Sequence, residues 1–402
     1  MLYFRYLGTM QINMQFTRKL SSLAKHFDTY SKFQPTPVTV KSLIDFAVDG
    51  DMKQSYKFLR VELLVRWSHM RKEMNLIPGR LLEMPSFKLA NSLYDQSFTE
   101  VLAFKDAEPD ATTLRKFTET LVDIRRRHAN IVPTLARAYM ELDKAGPIDL
   151  IEKNRLQYFY DRFFMNRIGI RTLIYQHTLL FGNEFPQHPQ QAGIIDPYCD
   201  VAGVVRDAYA TAKILFEKSS YPVPPVEIST HTVHENEKDR VTIVYIPAHI
   251  YHIVFELLKN SLRATVERHG QDAKQYPPVK VRIVKGHEDL TIQIADRGGG
   301  VPRSKISELF HYMYSTAPKP NSDFAIDGKG TPIAGLGYGL PIARLYAKYF
   351  QGNLALSSVE GLGTWAYISI KAAAENASEL LPIFSKIRYS YTTKKGSDWT
   401  KK

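Results

Sequence analysis

The sequence predicts an α + α/β chain, a four-helix-bundle-like domain followed by a mixed α/β sandwich. Three observations carry that expectation. From about residue 39 to 181, apolar residues recur almost throughout at helical spacings of three and four. A stretch rich in Gly, Pro, Asn, Gln and His interrupts the pattern at 182–197. Beyond it, short runs alternate apolar and polar residues, as strands with one buried face do, around two further helical runs.

The elements follow in chain order. Before Asp28 there is no acidic residue, whereas Arg5, Arg18, Lys19 and Lys25 stand among Leu20, Leu23 and Phe27. An acid-free, basic, amphipathic start of this kind reads as a mitochondrial transit peptide over residues 1–28, to be removed from the mature protein. Pro35 and Pro37 precede the first helix. Residues 57–74 place Phe58, Val61, Leu64, Val65, Met70 and Met74 on a helical period that Pro78 stops. Residues 114–138 continue the pattern before and after Pro133, and 156–180 form a long amphipathic run rich in Tyr and Phe. Long helices with short connections make a bundle, assigned to 29–185. A second domain, 186–371, opens with a helix at 200–218. Strands are expected at 241–246, 279–284, 290–294, 354–356 and 366–370, and helices at 248–267 and 340–350. Strands grouped this way favour a sandwich over strict βαβ repeats. Residues 372–402 read as a polar, Lys-rich tail carrying Asp398 and Trp399.

Composition bounds the function. With 402 residues, 44% hydrophobic and 23% charged, the chain can bury two or three ordinary cores. The single Cys199 excludes an internal disulfide framework and a multi-cysteine zinc site. No run approaches the roughly 20 apolar residues of a membrane span. The formal charge of +12 points to an acidic partner: nucleic acid, an anionic membrane or phosphate ligands.

Three segments could carry chemistry. In the helix at 248–267, His252, Glu256 and Asn260 recur every fourth residue and so stack as one polar stripe. A carboxylate and an amide one turn apart suit a water and a magnesium ion, which prefers oxygen ligands and shares phosphate oxygens. A strand then ends in Asp296, followed by Gly298, Gly299 and Gly300; a carboxylate there can accept the exocyclic amine of adenine. Lastly, Gly335, Gly337 and Gly339 lead into a helix, where backbone amides suit phosphate. The polar 314–332 stretch before them resembles a mobile lid.

Taken together, these boxes resemble the ATP-binding fold of the GHKL (Bergerat) superfamily of histidine kinases, type II topoisomerases, mismatch-repair and heat-shock ATPases. Gly361-x-Gly-Thr364 resembles its last box. The wider match is to the mitochondrial pyruvate dehydrogenase kinase family. It rests on His252-Ile-Val-Phe-Glu-Leu-Leu-Lys-Asn-Ser-Leu-Arg-Ala-Thr-Val-Glu267, Tyr314-Ser-Thr-Ala-Pro318, Leu345-Tyr-Ala-Lys-Tyr-Phe-Gln-Gly352, Ile124-Arg-Arg-Arg-His-Ala-Asn-Ile-Val-Pro-Thr134 and Gln176-His-Thr-Leu179. Branched-chain 2-oxoacid dehydrogenase kinase is similar in the boxes, fits less well in the lid and has no obvious counterpart to Asp398-Trp399.

The resemblance implies a matrix protein-serine kinase that uses Mg-ATP to phosphorylate and inactivate the pyruvate dehydrogenase E1 alpha subunit. Under it, Glu256 is the general base, His252 tunes Glu256, Asn260 binds magnesium and Arg263 supports the metal–phosphate region. Asp296 reads adenine. Gly298, Gly300, Gly335, Leu336, Gly337, Tyr338, Gly339 and Leu340 surround the nucleotide, with Ser315, Thr316 and Thr364 as secondary contacts. Lys259 is readable as a phosphate-region residue or as a surface lysine. Tyr94, Ser97, Arg125, His128, Arg167 and Arg171 would line a bundle site for a pyruvate-like effector, with His128 not a phosphoacceptor. Residues 30–46, with Phe33, would help dock the lipoyl domain of dihydrolipoyl transacetylase, and a homodimer is expected. Phosphates met by glycine backbone and magnesium leave nucleic acid an unexpected partner. A histidine autokinase and a non-catalytic ATP-binding scaffold are the remaining alternatives. The chain has no His-Arg-Asp loop, Asp-Phe-Gly motif or P-loop.

Overall fold

The computed structural model describes residues 23–182, 191–233, 241–315 and 336–382. The leader up to residue 22, Thr316, Gly335 and Asp398-Trp399 lie outside the described residues.

After a helical segment at 23–30, the described part of the first half contains α1 (Val40–Asp49), α2 (Met52–Met74), α3 (Gly79–Glu83), α4 (Pro85–Leu102), α5 (Ala111–Arg127), α6 (Ile131–Lys144) and α7 (Leu150–Phe181). Side-chain caps set their starts. Thr39 with Ser42, and Asp51 with Gln54, form reciprocal capping boxes, and Asp110 and Asp149 each cap one backbone amide. Asp51 therefore starts α2 at Met52, ahead of the apolar period read from residue 57. The run expected over 114–138 with an interruption at Pro133 is two helices broken earlier, at 128–130. Pro133 sits in the first turn of α6, where a missing N–H breaks no intrahelical bond, so it marks a helix start and not an interior kink.

Helix α7 spans 32 residues, about 48 Å. Residues 163–170 are buried without a break, so protein surrounds the helix on all sides there. It packs against α2 and α5 within the bundle and against a helix of the second domain.

The second half contains β1 (Asp196–Asp200), α8 (Val201–Lys218), β2 (Val226–Thr232), β3 (Thr242–Tyr245), α9 (Pro247–His269), β4 (Val279–Lys285), β5 (Asp289–Ala295), α10 (Gly339–Tyr349), β6 (Asn353–Val359) and β7 (Gly363–Lys371). Five strands form one sheet in the order β2-β4-β5-β7-β6, with β2–β4 parallel and the other pairs antiparallel. Val281, Ile283, Leu290, Ile292, Ile294, Ile368 and Ile370 point to the buried face, under α8, α9 and α10. Lys280 and Arg282 point to the other, so the architecture is a two-layer sandwich. Two details differ from the sequence expectation. Strand β2, Val-Glu-Ile-Ser-Thr-His-Thr, alternates only partly buried with exposed residues and carries too weak an apolar signal to stand out. The strand read at 241–246 pairs with β1 outside the main sheet; alternation identifies a strand but not its neighbour.

The start of the tail returns to the bundle. Glu379 is buried, and its Oε2 accepts from Arg66 Nη2 at 2.8 Å and from the Val38 amide at 3.1 Å. Its Oε1 accepts from Tyr349 Oη at 2.8 Å. Arg66 also donates to Glu62 at 2.7 Å and to the Thr36 carbonyl at 2.8 Å. One buried ionic network thus joins α2, the end of α10 and the post-sheet segment. No helix among the described residues is long and apolar enough to cross a membrane.

Candidate active site

Ile250, Ile253, Val254, Leu257, Leu258 and Leu262 bury one side of α9 against α8 and α10. The opposite stripe carries Glu256 and Asn260 into a cavity of about 340 Å³. Arg263, Asp296, Gly298, Gly300, Ser315, Gly337, Gly339, Leu340 and Thr364 line it too, so residues from four separate boxes converge.

Lys259 also lines this cavity, and it is no surface lysine. It is buried, with Nζ 2.9 Å from Glu256 Oε2 and 3.1 Å from Oε1. The available signal was its position three residues after Glu256, which sets both on adjacent turns of one face.

Asp296 directly follows β5 and is buried. Its Oδ1 accepts from the Gly298 amide at 2.9 Å and the Thr364 amide at 3.2 Å, and its own amide donates to the Thr364 carbonyl at 3.0 Å. Burial raises its pKa, and the two amides pull it back. Thr364 thus positions Asp296 through its backbone, while its hydroxyl lies 3.0 Å from that of Ser358.

The glycine box approaches the chain itself. A Cβ on Gly339 would lie 2.1 Å from Glu256 Oε2, and one on Gly337, at φ 77°, would lie 2.7 Å from Met313 and Tyr314 backbone atoms. The Tyr338 side chain leaves the cavity and packs among Tyr160, Phe164 and Tyr312. Leu336 packs on the hydrophobic core. His252 stands one turn from Glu256 with its ring 4.6 Å from that of Tyr346, outside the residues lining the cavity. Burial lowers its pKa, and the Glu256 charge opposes that.

Among the described residues no group of three His, Cys, Asp or Glu side chains could hold a metal alone. Asn260 and Glu256 supply two oxygen donors, which fits a hard cation that arrives with phosphate oxygens and keeps its waters.

The bundle gathers a second set of polar groups. Tyr94, Ser97, Arg125, His128 and Arg167 are all buried. Arg125 and Arg171 each lie 4.9 Å from the Tyr175 ring centroid, and Arg167 donates to the His128 carbonyl at 3.0 Å. Ser97 donates to the Leu93 carbonyl at 2.8 Å and so accepts from His128 Nε2 at 3.0 Å, which makes Nε2 the protonated nitrogen. Burial holds His128 down at about 4. His177, between Ser55 at 2.7 Å and Thr118 at 2.9 Å, is likewise held at about 4, and buried His249 at about 3.

These histidines fold neutral, whereas the unfolded chain protonates them near 6.5. Their contribution is therefore complete above pH 6.5 and is lost as pH falls toward 4, on the order of 3 kcal/mol for each. Urea midpoints measured at pH 7.5, 5.5 and 4.5 should fall steadily; a midpoint constant over that range would show that these rings are not buried neutral.

Comparison with known proteins places this geometry. Residues 37–196 match a family model described as mitochondrial branched-chain alpha-ketoacid dehydrogenase kinase, and 245–374 one described as histidine kinase-, DNA gyrase B- and HSP90-like ATPase. Pyruvate dehydrogenase (acetyl-transferring) kinase isozyme 3 of Mus musculus is 46% identical over 94% of this chain and 91% of its own length. The isozyme 3 of Homo sapiens is 46% identical over 94% and 93%, and the Ascaris suum kinase 44% over 96% and 97%. The chain belongs to the mitochondrial pyruvate dehydrogenase kinase family. As a member it is an ATP-binding protein kinase, and its catalytic half is the GHKL domain. The bundle model's description names the branched-chain kinase, whereas the relatives matched over nearly the whole chain are named pyruvate dehydrogenase kinases.

Proposed function

We propose that this kinase transfers the γ-phosphoryl group of ATP to a serine of the pyruvate dehydrogenase E1 alpha subunit in the mitochondrial matrix. The transfer inactivates that subunit and restrains oxidation of pyruvate to acetyl-CoA. The observation that carries the reading is the meeting of Glu256, Lys259, Asn260 and Asp296 in one cavity, in a chain whose relatives bear that activity in their names along nearly their whole length.

In this reading Asp296 accepts the adenine amine, and the amides around Gly337 and Gly339 face the phosphates. Asn260 would hold Mg²⁺, which would neutralise phosphate charge, and Arg263 would support the metal–phosphate region. Glu256 takes the serine proton as the serine oxygen bonds to the γ-phosphorus and the bond to the β-bridging oxygen breaks, releasing ADP. Lys259 holds the carboxylate before transfer, and His252 tunes it from the next turn. Ser315 lines the cavity as a secondary contact; Thr316 and Gly335 carry their roles by resemblance.

Residues 1–28 act as a removable leader, 29–185 as the regulatory bundle, 186–371 as the kinase domain and 372–402 as the tail. The arginine cluster binds a pyruvate-like 2-oxoacid: Tyr94, Arg125 and Arg167 are buried together, and guanidinium groups suit a carboxylate. Phe33, 57% exposed, belongs to the surface that docks the lipoyl domain of dihydrolipoyl transacetylase, and the kinase works as a homodimer.

The bundle model's description keeps a branched-chain kinase as the second reading. Incubation with both dehydrogenases and labelled ATP should put acid-stable phosphoserine on pyruvate dehydrogenase. Label confined to the branched-chain enzyme would reverse the choice, acid-labile label on His128 would point to an autokinase, and no label at all to a scaffold.

A further inference from the structure

A second cavity, of about 260 Å³, adjoins the nucleotide cavity. Pro341 lines both, and of two consecutive residues Leu309 lines the first and Phe310 the second. Arg344 and Lys348 line it from α10, Asp161 and Gln157 from α7, and Ser307 and His311 from the segment between them.

Arg344 and Lys348 are one turn apart on a single face of α10. The Arg344 guanidinium lies 4.6 Å from the Phe310 ring centroid, and its Nε is buried without a hydrogen-bond partner among the described residues. Burial, and then Arg344, lower the pKa of Lys348. Asp161 is the carboxylate in this lining, and its Oδ1 already accepts from Tyr312 Oη at 2.9 Å. Gln157 is engaged as well, accepting from the Tyr312 amide and donating to the Phe310 carbonyl, both at 3.1 Å. The Asp161 charge also acts on Lys348 and Arg344, so two cations share the cavity with one carboxylate and the exposed His311, which leaves an excess of one positive charge.

We propose that Arg344 and Lys348 form a protein-substrate subsite for an acidic group, a carboxylate or a phosphoryl, that flanks the target serine. The placement selects a polypeptide. Helix α10 starts at Gly339 against Glu256, and Arg344 follows about 7.5 Å along its axis. An extended substrate advances about 3.4 Å per residue, so a residue two or three positions from the serine spans that distance. The subsite rests on the protein-kinase reading above.

The test uses the full chain with Arg344→Gln, Lys348→Gln, the double variant and the conservative Arg344→Lys. Loss of one charge-assisted contact should raise KM for pyruvate dehydrogenase about tenfold, with kcat and ADP affinity within about twofold, and Arg344→Lys should recover most of the effect. Unaltered ADP affinity also certifies folding. Serine peptides flanked by Asp or phosphoserine should be better substrates than an Ala-flanked peptide for the parent enzyme and equal to it for the double variant. Inorganic phosphate should compete with the acidic peptides. If phosphate binding depends on Arg344 and Lys348 while the three peptides are equivalent in the parent enzyme, the cavity is a free-ion site and the proposal fails. If the parent enzyme labels some other protein, the functional reading fails; the same KM comparison on that protein still decides the subsite, and equal values overturn it.

Discussion

Glu256→Gln should bind ATP and transfer almost none of it. The carboxamide keeps the shape of the carboxylate beside Gly339, where a Cβ would lie 2.1 Å from Oε2, and its oxygen can still accept from Lys259. It cannot take a proton from serine. Removal of a positioned general base costs about 10²–10⁴-fold, so single-turnover transfer should fall about a thousandfold. ATP affinity, which also draws on Asp296, Asn260 and the amides of the glycine boxes, should stay within a few-fold by calorimetry, because the carboxamide keeps an oxygen donor in the carboxylate's place. Transfer near the parent rate would remove Glu256 from the reaction, and a joint collapse of binding and transfer would make it a nucleotide ligand.

Glu379→Leu should cost stability more than activity. The carboxylate lies outside the nucleotide cavity, yet it closes a network of Arg66, Tyr349 and the Val38 amide within the protein. Its removal leaves the fully buried Arg66 with Glu62 as its one carboxylate, beside the Thr36 carbonyl. Loss of the second carboxylate removes charge-assisted hydrogen bonds worth about 1.5–3 kcal/mol each and leaves the Val38 amide and the Tyr349 hydroxyl without their acceptor, which should appear as a marked drop in urea midpoint. Replacing Glu62, Arg66 and Glu379 together by apolar residues should recover part of the loss, because no buried charge is then left unpaired. An unchanged midpoint for Glu379→Leu would show that the network carries little of the stability. A lesion of this kind also loosens α10, which holds Gly339 against Glu256 at one end and Tyr349 against Glu379 at the other.

Much of this architecture is legible in the chain because its signals are local. The apolar period of 57–74 announces α2, and the alternation of 279–284 and 290–294 announces β4 and β5. Glycines spaced by one residue before a helical run announce a backbone that must come close to something. Partnership is not local. The strand at 241–246 reads as a strand without revealing that it pairs with β1 outside the main sheet, and β2 goes unseen because its inward residues are only half-buried. Pro133 illustrates the same limit: it reads as an interruption, and only the position of Asn130 as the cap of α6 makes it a start.

The site divides along the same line. Glu256, Asn260 and Asp296 are identifiable as candidates from residue type and spacing, because a carboxylate and an amide one turn apart, or an aspartate at a strand end before glycines, keep their relation in any fold that contains the element, while Thr364 and the roles of all four come from the resemblance. Lys259 is not, since its burial depends on what lies across the cavity. Tyr338 stands between two box glycines, yet its side chain belongs to an aromatic cluster with α7. Glu379 reads as part of a polar tail and proves to be buried against the bundle. The order of the boxes along the chain is enough to suggest family and fold by resemblance and to nominate candidate acid–base groups. Burial, and with it the Lys259–Glu256 pair, the neutral histidines and the Arg66–Glu379 link, depends on distant segments meeting, because desolvation is a property of what surrounds a side chain and not of its neighbours in sequence.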